Sequence, residues 1–598
     1  MAGQSRVERR QARREDGDVA PTRRHRSRRR KIVAAVVAVV VIWGVAVIVE
    51  AVLAYNHIHQ GQAEVQAARA RLSANEVLTG APEGDLRAAA NSFGAAHSLL
   101  SSPLFWPVDV VPVAGRQLRS VQDLSGGAEQ VARVGVGVVG RSQSLLRLPH
   151  TAGPDRIALL QQLAALASVT HHDLAGIDLG PDQGLVGPVA HERATFLNDL
   201  TQVRTTLART TAAATAAAAI LQGPQTYLLL AGNNAEMRAG SGAFLEAGAV
   251  NIGTGELTLG GMVPTYSLTL PRGAVAVGGD LEARWGFLVP GVDWRNLGVT
   301  PQFDVTAPLA ASMWKANTGQ SVDGVMALDV QGLQEILGVT GPVTTDTGMV
   351  VSADNVDQFL LHDQYIGESD ATEAGRVDQL SSLASAALHA FEDRPIKLRS
   401  LVNALSAAAQ GRHVMVWSAD PRTEAVWRDV GIAGHLTSSS IMATVINRGG
   451  NKLDQYLSMT SSLRLTTSGP KTVGELSLTF ANHTPPGQSQ FIAGPYPGLG
   501  TSYGEYVGIA TVNLPGYVRH LSTSSPHTVV TSGPEGPTLL VANSVDIPAG
   551  STQTVTYRFE LPEAHGTLTV VPSTRIPPVS WTFGGTTFTD QIAHTLTW

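Results

Sequence analysis

Cysteine is absent from the 598 residues, which excludes disulfides, thiolate metal sites and cysteine nucleophiles together. A chain without cross-links must hold itself by burial, and one this long can enclose enough core to do so. Charge is scarce as well: 15% of residues are Asp, Glu, Lys or Arg, against roughly 25% in ordinary soluble proteins. Positive charge is densest at the extreme N-terminus, so the remainder is more acidic than the formal net charge of -6 suggests. No nucleic-acid partner is expected of such a chain. No His-Glu-x-x-His, paired Cys/His cluster or EF-hand loop occurs, so neither a metal nor another cofactor is expected. His171-His172-Asp173 comes nearest. Neighbours on a helix point roughly 100° apart, and no third ligand follows at helical spacing, so a solvated face is the better reading.

What is present begins with 61 glycines and 32 prolines, a turn-rich composition, and a length that suggests roughly three or four folding units at about 150 residues each. Arg9, Arg10, Arg13, Arg14, Arg23, Arg24, Arg26, Arg28, Arg29, Arg30 and Lys31 crowd a segment with almost nothing apolar. Residues 1–31 therefore read as a disordered basic cytoplasmic tail. The uncharged run Ile32 to Val49 spans roughly 27 Å as a helix, close to the thickness of a bilayer's hydrocarbon core. Residues 32–54 are expected to form a transmembrane helix in the lipid bilayer of the cell membrane. The basic flank on one side and the single Glu50 on the other place the N-terminus inside and the bulk outside. A cleaved signal peptide ending near Val52-Leu53-Ala54 is the alternative, although the apolar run exceeds the usual signal core of about 7–15 residues.

Residues 55–222 are Ala-rich with helix formers, and Pro103, Pro107, Pro112, Pro154, Pro181 and Pro188 interrupt them. Several antiparallel helices forming a membrane-proximal stalk are expected. The texture changes at Gly223-Pro224. Tyr227 to Ala231 reads as a buried strand, Phe244 to Ile252 and Glu256 to Val263 as a hairpin about Gly253-Thr254-Gly255, and Asp304 to Ala316 as a helix. Val322 to Leu328 reads as a strand, and Val330 to Leu337 as a helix stopped by Gly338. A hairpin over Val343 to Val351 and helices over Ala353 to His362 and Gly375 to Phe391 complete an α/β domain at 223–435. Beyond it, Gly474 to Phe480 and Thr552 to Phe559 alternate polar with apolar between Pro/Gly turns. Residues 436–598 are expected to form a β-sandwich.

The segment best placed for chemistry is the loop Asn233-Asn234-Ala235-Glu236-Met237-Arg238-Ala239-Gly240-Ser241-Gly242. Glycines at a strand end let backbone N–H groups approach an anion, and Arg238 offers a planar fork for phosphate or carboxylate. The competing reading is a structural loop in which the Asn and Glu side chains cap backbone groups and Arg238 pairs with Glu236 or a nearby acid. The glycine spacing is not that of a P-loop, and Gly240-Ser241-Gly242 is not a nucleophile elbow.

Tyr227 to Phe244, the Gly255-Glu256-Leu257 turn, Thr300-Pro301-Gln302-Phe303 and Val322 to Asp329 together resemble domain-of-unknown-function family 4012, common in exported actinobacterial membrane proteins. That resemblance brings no established activity. More distantly, the α/β segment resembles the LytR-CpsA-Psr proteins, which attach phosphate-linked glycopolymers to the cell wall from polyprenyl-pyrophosphate carriers. In that alignment Arg238 matches the first family arginine, Val322 to Val343 a later segment, and Arg376 the closing helix. The chain departs from the family where its first Asp is replaced by Gly240 and Ser241. The second Arg-Asp falls in Met262 to Tyr266, which has neither residue.

A pyrophosphate site needs cations and commonly a carboxylate-held metal. The resemblance therefore implies a multidomain envelope protein with a LytR-CpsA-Psr-like fold that binds a glycopolymer or polyprenyl-linked intermediate without catalysis. The expected ligand-binding residues are Arg238, Asn233, Asn234, Glu236, Ser241, Arg295 and Arg376. Two other readings stay open at this point. One is an active phosphotransferase in which Arg295, Arg272 or Asp304 substitutes for the missing groups; the other is a structural or assembly partner of envelope enzymes.

Overall fold

The computed structural model describes residues 23–71, 81–146, 149–150, 153–366, 373–496, 498, 500–524 and 528–598, so most of the basic N-terminal segment lies outside the described residues. Helix α1 spans Arg23–Ala70, overrunning the expected 32–54 at both ends. It is long and apolar enough to cross a membrane, and none of its most hydrophobic stretch is buried among the described residues. An apolar helix left largely unburied is what lipid, rather than a soluble core, would cover.

The residues expected to make one stalk divide between two compact units. The first takes its described residues from Met1–Ala70, Pro82–Val136 and Ile177–Asn198; the second from Arg71–Ala81, Gly137–Gly176 and Asp199–Trp598. In the first unit, α1 packs with α2 (Ala81–Leu100) and the start of α3 (Ala114–Leu146). Ala89, Ala90, Phe93 and Ala132 form one buried cluster with Val65 beside it. Small residues allow this closeness: a Cβ at Gly61 would stand 2.8 Å from the Phe93 ring. In the second unit, α4 (Pro154–Ala175) and the end of α5 (Gly187–Gln222) precede the first sheet.

That sheet is built on β1 (Gln225–Met237), β2 (Gly242–Gly253), β3 (Glu256–Leu259), β4 (Val263–Pro264), β5 (Gly324–Leu328) and β6 (Val414–Ser418). The order is β6-β5-β1-β2-β3, with β4 on β2; β1 and β5 run parallel and the other pairs antiparallel. The hairpin turns as expected: Gly253 faces Glu256, and Thr254 and Gly255 both have positive φ, the two-residue turn that matches strand twist. Alternation along β1 sends Leu228 and Leu230 into one core and Tyr227 and Leu229 into another.

Helices α6 (Gly279–Trp285) and α7 (Phe303–Thr318) cover the first face with Leu281, Trp285, Ala307, Ala310, Met313 and Trp314. Helices α8 (Val330–Thr340), α9 (Val356–Leu361) and α10 (Glu373–Asp393) share a third core. The expected stop at Gly338 is corrected. Leu337 and Thr340 are both buried, so packing carries the helix to Gly341, whose φ of 80° ends it and whose N–H returns to the Leu337 carbonyl at 2.8 Å. Helices α11 (Leu398–Gln410) and α12 (Pro421–Val430) flank β6 in sequence.

The C-terminal half forms two six-stranded sheets. Their strands are β7 (Ser440–Asn447), β8 (Leu457–Ser468), β9 (Lys471–Asn482), β10 (Tyr506–Pro515), β11 (Arg519–Ser524), β12 (Val529–Glu535), β13 (Thr538–Ile547), β14 (Thr552–Leu561), β15 (Thr567–Val570), β16 (Ser580–Phe583), β17 (Thr586–Thr589) and β18 (His594–Thr597). The orders are β12-β13-β10-β7-β15-β18 and β11-β14-β9-β8-β16-β17. Between them lies a core containing Leu476, Phe480, Tyr557, Phe559 and Trp581.

Strands β8, β9 and β14 alternate buried with exposed residues, whereas β7 is buried at every position. The reason is a second contact. Ile446, Ile509, Leu540 and Ala542 turn away from the sandwich interior into the core of the α/β part, beside Trp285, Trp294 and Met313. A strand covered on both faces has no polar side to alternate with. One core cluster thus draws its residues from both sides of positions 435–436.

Candidate functional site

Strands β1 and β5 are parallel and their pairing ends at Ala231 and Leu328, where β6 begins beside β5 at Val414 and β1 runs on to Met237. Residues at this carboxyl edge are where an α/β sheet ordinarily meets a ligand. Here the edge is filled by the chain itself. Asn233, Asn234, Glu236, Arg238 and Ser241 are all buried. Asn233 donates to the Leu360 carbonyl (3.1 Å) and the Tyr365 hydroxyl (2.8 Å) while accepting from the Ala235 N–H. Asn234 donates to Asp329 (3.0 Å) and to the Thr574 carbonyl (2.8 Å) and accepts from the Val330 N–H.

Arg238 donates to the Asn296 side chain at 3.3 Å and to the carbonyls of Met237 (3.0 Å) and Asn447 (3.2 Å). Glu236 pairs with Lys452. Lys452 also lies over the rings of Tyr365 and Phe491, at 5.2 and 5.4 Å from their centres, a favourable place for a cation. Burial pushes the Glu236 carboxyl up, but Lys452, Arg238 and Arg295 together pull it below its ordinary range. The glycines serve close backbone contact. Gly240 donates to the Gly298 carbonyl at 2.9 Å, and a Cβ on Gly242 would collide with the Asn233 backbone. Ser241 accepts the Arg238 N–H through its carbonyl at 2.8 Å.

Beneath the loop lies a residue the sequence did not single out. Asp454, fully buried, accepts from the Met237 N–H (2.9 Å), Asn447 (2.9 Å), the Tyr506 hydroxyl (2.8 Å) and Arg575 (3.1 Å). Four donors on one carboxylate satisfy its lone pairs and tie the end of β1 to β7 and β10 of one sheet and to Arg575 in the connection from β15 to β16. A second buried pair follows β5. Asp329 caps α8 by accepting the Gly332 N–H and also accepts from His413 Nδ1 at 2.9 Å. Burial lowers the His413 pKa, but the Asp329 charge and hydrogen bond outweigh it and leave the imidazole above its ordinary value.

Charge reaches the surface at one side of this assembly. Arg295 is half-exposed and holds Asp293 in a two-pronged contact, Nε to Oδ1 at 3.0 Å and Nη2 to Oδ2 at 2.8 Å. Burial raises the Asp293 pKa, and Arg295, then Arg238, bring it below the usual range. Arg448, in the run Asn447-Arg448-Gly449-Gly450-Asn451-Lys452, is exposed. Its guanidinium has no hydrogen bond or ion pair among the described residues. Partial burial and the neighbouring Arg238 lower its pKa, with Asp293 opposing. Arg238 and Arg295 are thus brought together, joined by Arg448 and Lys452, which the sequence reading missed although the glycines between them mark a loop. Arg376 lies on α10, and its side chain is outside the described residues. Asp304 pairs with Arg428, and Arg272 is exposed in a turn.

Two surface clefts, of about 470 and 300 Å³, are lined by residues such as Met349, Phe359 and Gln379 in one and Glu256, Leu259 and His389 in the other. Neither is lined by Arg238, Arg295 or Arg448.

Residues 222–365 match the family described as a protein of unknown function, DUF4012. This segment carries β1 to β5, α6 to α9 and the Asn233–Gly242 loop, but ends before His413, Arg448, Lys452 and Asp454. No curated protein and no solved structure matches the chain.

Proposed function

We propose that this is a non-catalytic, single-pass envelope protein whose exported bulk binds a phosphate-bearing glycopolymer or lipid-linked intermediate. In this reading α1 crosses the cell membrane, with the basic N-terminus in the cytoplasm by the positive-inside rule. The ligand meets Arg448 and Arg295 at the surface. Arg238 and Lys452 stand behind them as fixed positive charge, held by buried partners rather than by the ligand.

The observation that carries this reading is the exposed Arg448, whose guanidinium has no hydrogen bond or ion pair among the described residues and feels both Arg238 and the Asp293 that Arg295 holds. Four cationic side chains, Arg238, Arg295, Arg448 and Lys452, face two carboxylates, Glu236 and Asp293. The surplus is positive, and a guanidinium fork suits phosphate oxygens. Non-catalysis is supported by the carboxyl edge of the sheet. Asn234, Asp329 and Asp454 are engaged there in internal hydrogen bonds beneath the sandwich.

The test is binding of a polyprenyl phosphate and of a purified phosphate-bearing wall polymer to the full-length protein in detergent. Replacing both Arg295 and Arg448 by Gln should weaken binding at least about tenfold, the equivalent of about 1.4 kcal/mol. Equal binding by variant and wild type, or no binding of either probe by the wild type, would overturn the reading.

A further inference from the structure

We infer that the proline-rich segment 102–113 is a second membrane-contacting element, which inserts its apolar tip into the outer leaflet beside α1. This rests on the reading that α1 spans the bilayer. The observations lie wholly within the first compact unit.

The depth of the segment is set by α1 itself. The Trp43 indole donates to the Leu104 carbonyl at 2.9 Å. Trp43 belongs to the uncharged run ending at Val49, about 9 Å inside its outer end at about 1.5 Å per residue. Around this bond, Phe105, Leu100 and Leu118 pack with Val47, Ala51, Ala54 and Ile58 of α1. The packed zone therefore straddles the end of the apolar run, so whatever surrounds α1 there also surrounds the segment.

The surface it presents is apolar. Trp106 is 70% exposed and Val110 64%, with Val111 and Val113 also open. Such a patch is unusual on a face bathed in water, whereas Trp at the bilayer interface is common. The backbone suits the same medium, because unsatisfied N–H groups are costly in lipid. Pro103, Pro107 and Pro112 have no N–H to satisfy. The N–H groups of Phe105, Val111 and Gly115 donate to the carbonyls of Ser102, Val108 and Val111, at 3.0, 3.0 and 2.7 Å. Charge gathers at the rim: Arg119 pairs with Asp109 at 3.0 Å, and Arg116 donates to the Pro112 carbonyl at 2.7 Å. Both arginines are placed for the headgroup layer, where cationic side chains settle beside lipid phosphates.

The natural absence of cysteine makes the test direct. Full-length protein carrying Val110→Cys, Val39→Cys or Thr466→Cys is spin-labelled and reconstituted into phospholipid vesicles, and collisions with dissolved oxygen and with a water-soluble nickel chelate are compared. Thr466 is an exposed position on β8 and reports the aqueous limit; Val39 reports the bilayer. The label at 110 should lose nickel accessibility and keep oxygen accessibility, as at 39. A label at 110 open to nickel while that at 39 is shielded would refute the insertion and leave the transmembrane reading intact. Protection of position 110 from both reagents would mean that protein covers it, which also refutes insertion. Nickel access at position 39 would remove the transmembrane reading itself.

Discussion

Removing the Asp454 carboxylate should be among the most damaging single changes this protein can suffer. In Asp454→Ala, four donors lose this acceptor: the Met237 N–H, the Tyr506 hydroxyl, Asn447, which keeps Asn451, and Arg575, which keeps the Leu457 carbonyl. Burial, and then the Asp454 charge, hold the Tyr506 phenol well above its usual pKa, so it keeps the proton it donates. Each neutral donor orphaned in a buried site costs about 1–3 kcal/mol, and a buried ion pair losing one partner costs about 3–5 kcal/mol. These terms overlap because the groups share one cavity, so the expected loss is about 5 kcal/mol.

At about 2 °C per kcal/mol, the lower end for large domains, the thermal midpoint should fall by about 10 °C. Arg575→Met is the discriminating partner. It leaves Asp454 three of its four donors, so its cost should stay near the lower limit, about 3 kcal/mol. The assay is near-ultraviolet circular dichroism of the full-length protein in detergent, melted in parallel for the three chains. A fall of under about 2 °C for Asp454→Ala, about 1 kcal/mol, or a larger fall for Arg575→Met, would refute the assignment of Asp454 as the shared acceptor.

Two further outcomes follow from the same geometry. His413 has a folded-state pKa above its free value of 6.5 because Asp329 outweighs burial. Its stabilising contribution is therefore complete below about pH 6.5 and is lost as pH rises through the folded value. Glu335 and Asp590 add to the negative field around the imidazole. Thermal midpoints taken from pH 5.5 to 9 should fall with rising pH more steeply for the wild type than for His413→Gln; parallel curves would contradict the pairing. Gly242→Ala places a methyl group against the Asn233 backbone, which cannot swing aside as a flexible side chain could. It should cost about 3 kcal/mol, the upper range for overpacking, and a midpoint within 1 °C of the wild type, under about 0.5 kcal/mol, would show that the loop relaxes freely.

The hairpin from β2 to β3 was legible because its information is local: alternation on both sides and a Thr-Gly pair that accepts positive φ. Helix α7 was legible for the same reason. The end of α8 was not, since Gly338 looks like a stop until the burial of Thr340 is known. Strand β6 was passed over because Val414 to Ser418 gains its meaning from pairing with β5, far away in sequence. The loop at 233–242 did stand out as a special backbone, and Glu236 and Arg238 as its charged members. Their partners could not be read, because Lys452 is 216 residues from Glu236 and Asp454 is 217 from Met237. The sequence shows which groups need an acceptor or a counter-charge, and only the fold shows that the sandwich supplies them.

The Asp454 junction also sets a timetable for synthesis. Asp454 and Arg575 are separated by 121 residues, so at a translation rate of about 5–20 residues per second the acid precedes its arginine by roughly 6–24 s. Until then the end of β1, made earlier still, would meet in Asp454 a carboxylate whose counter-ion has not yet left the ribosome. Such a chain would carry an unfinished sheet edge and an acid without its arginine, a species that holding chaperones or a secretion channel would need to shelter. Ribosome stalling between these two positions should leave every residue of the DUF4012-matched segment synthesised yet still sensitive to protease.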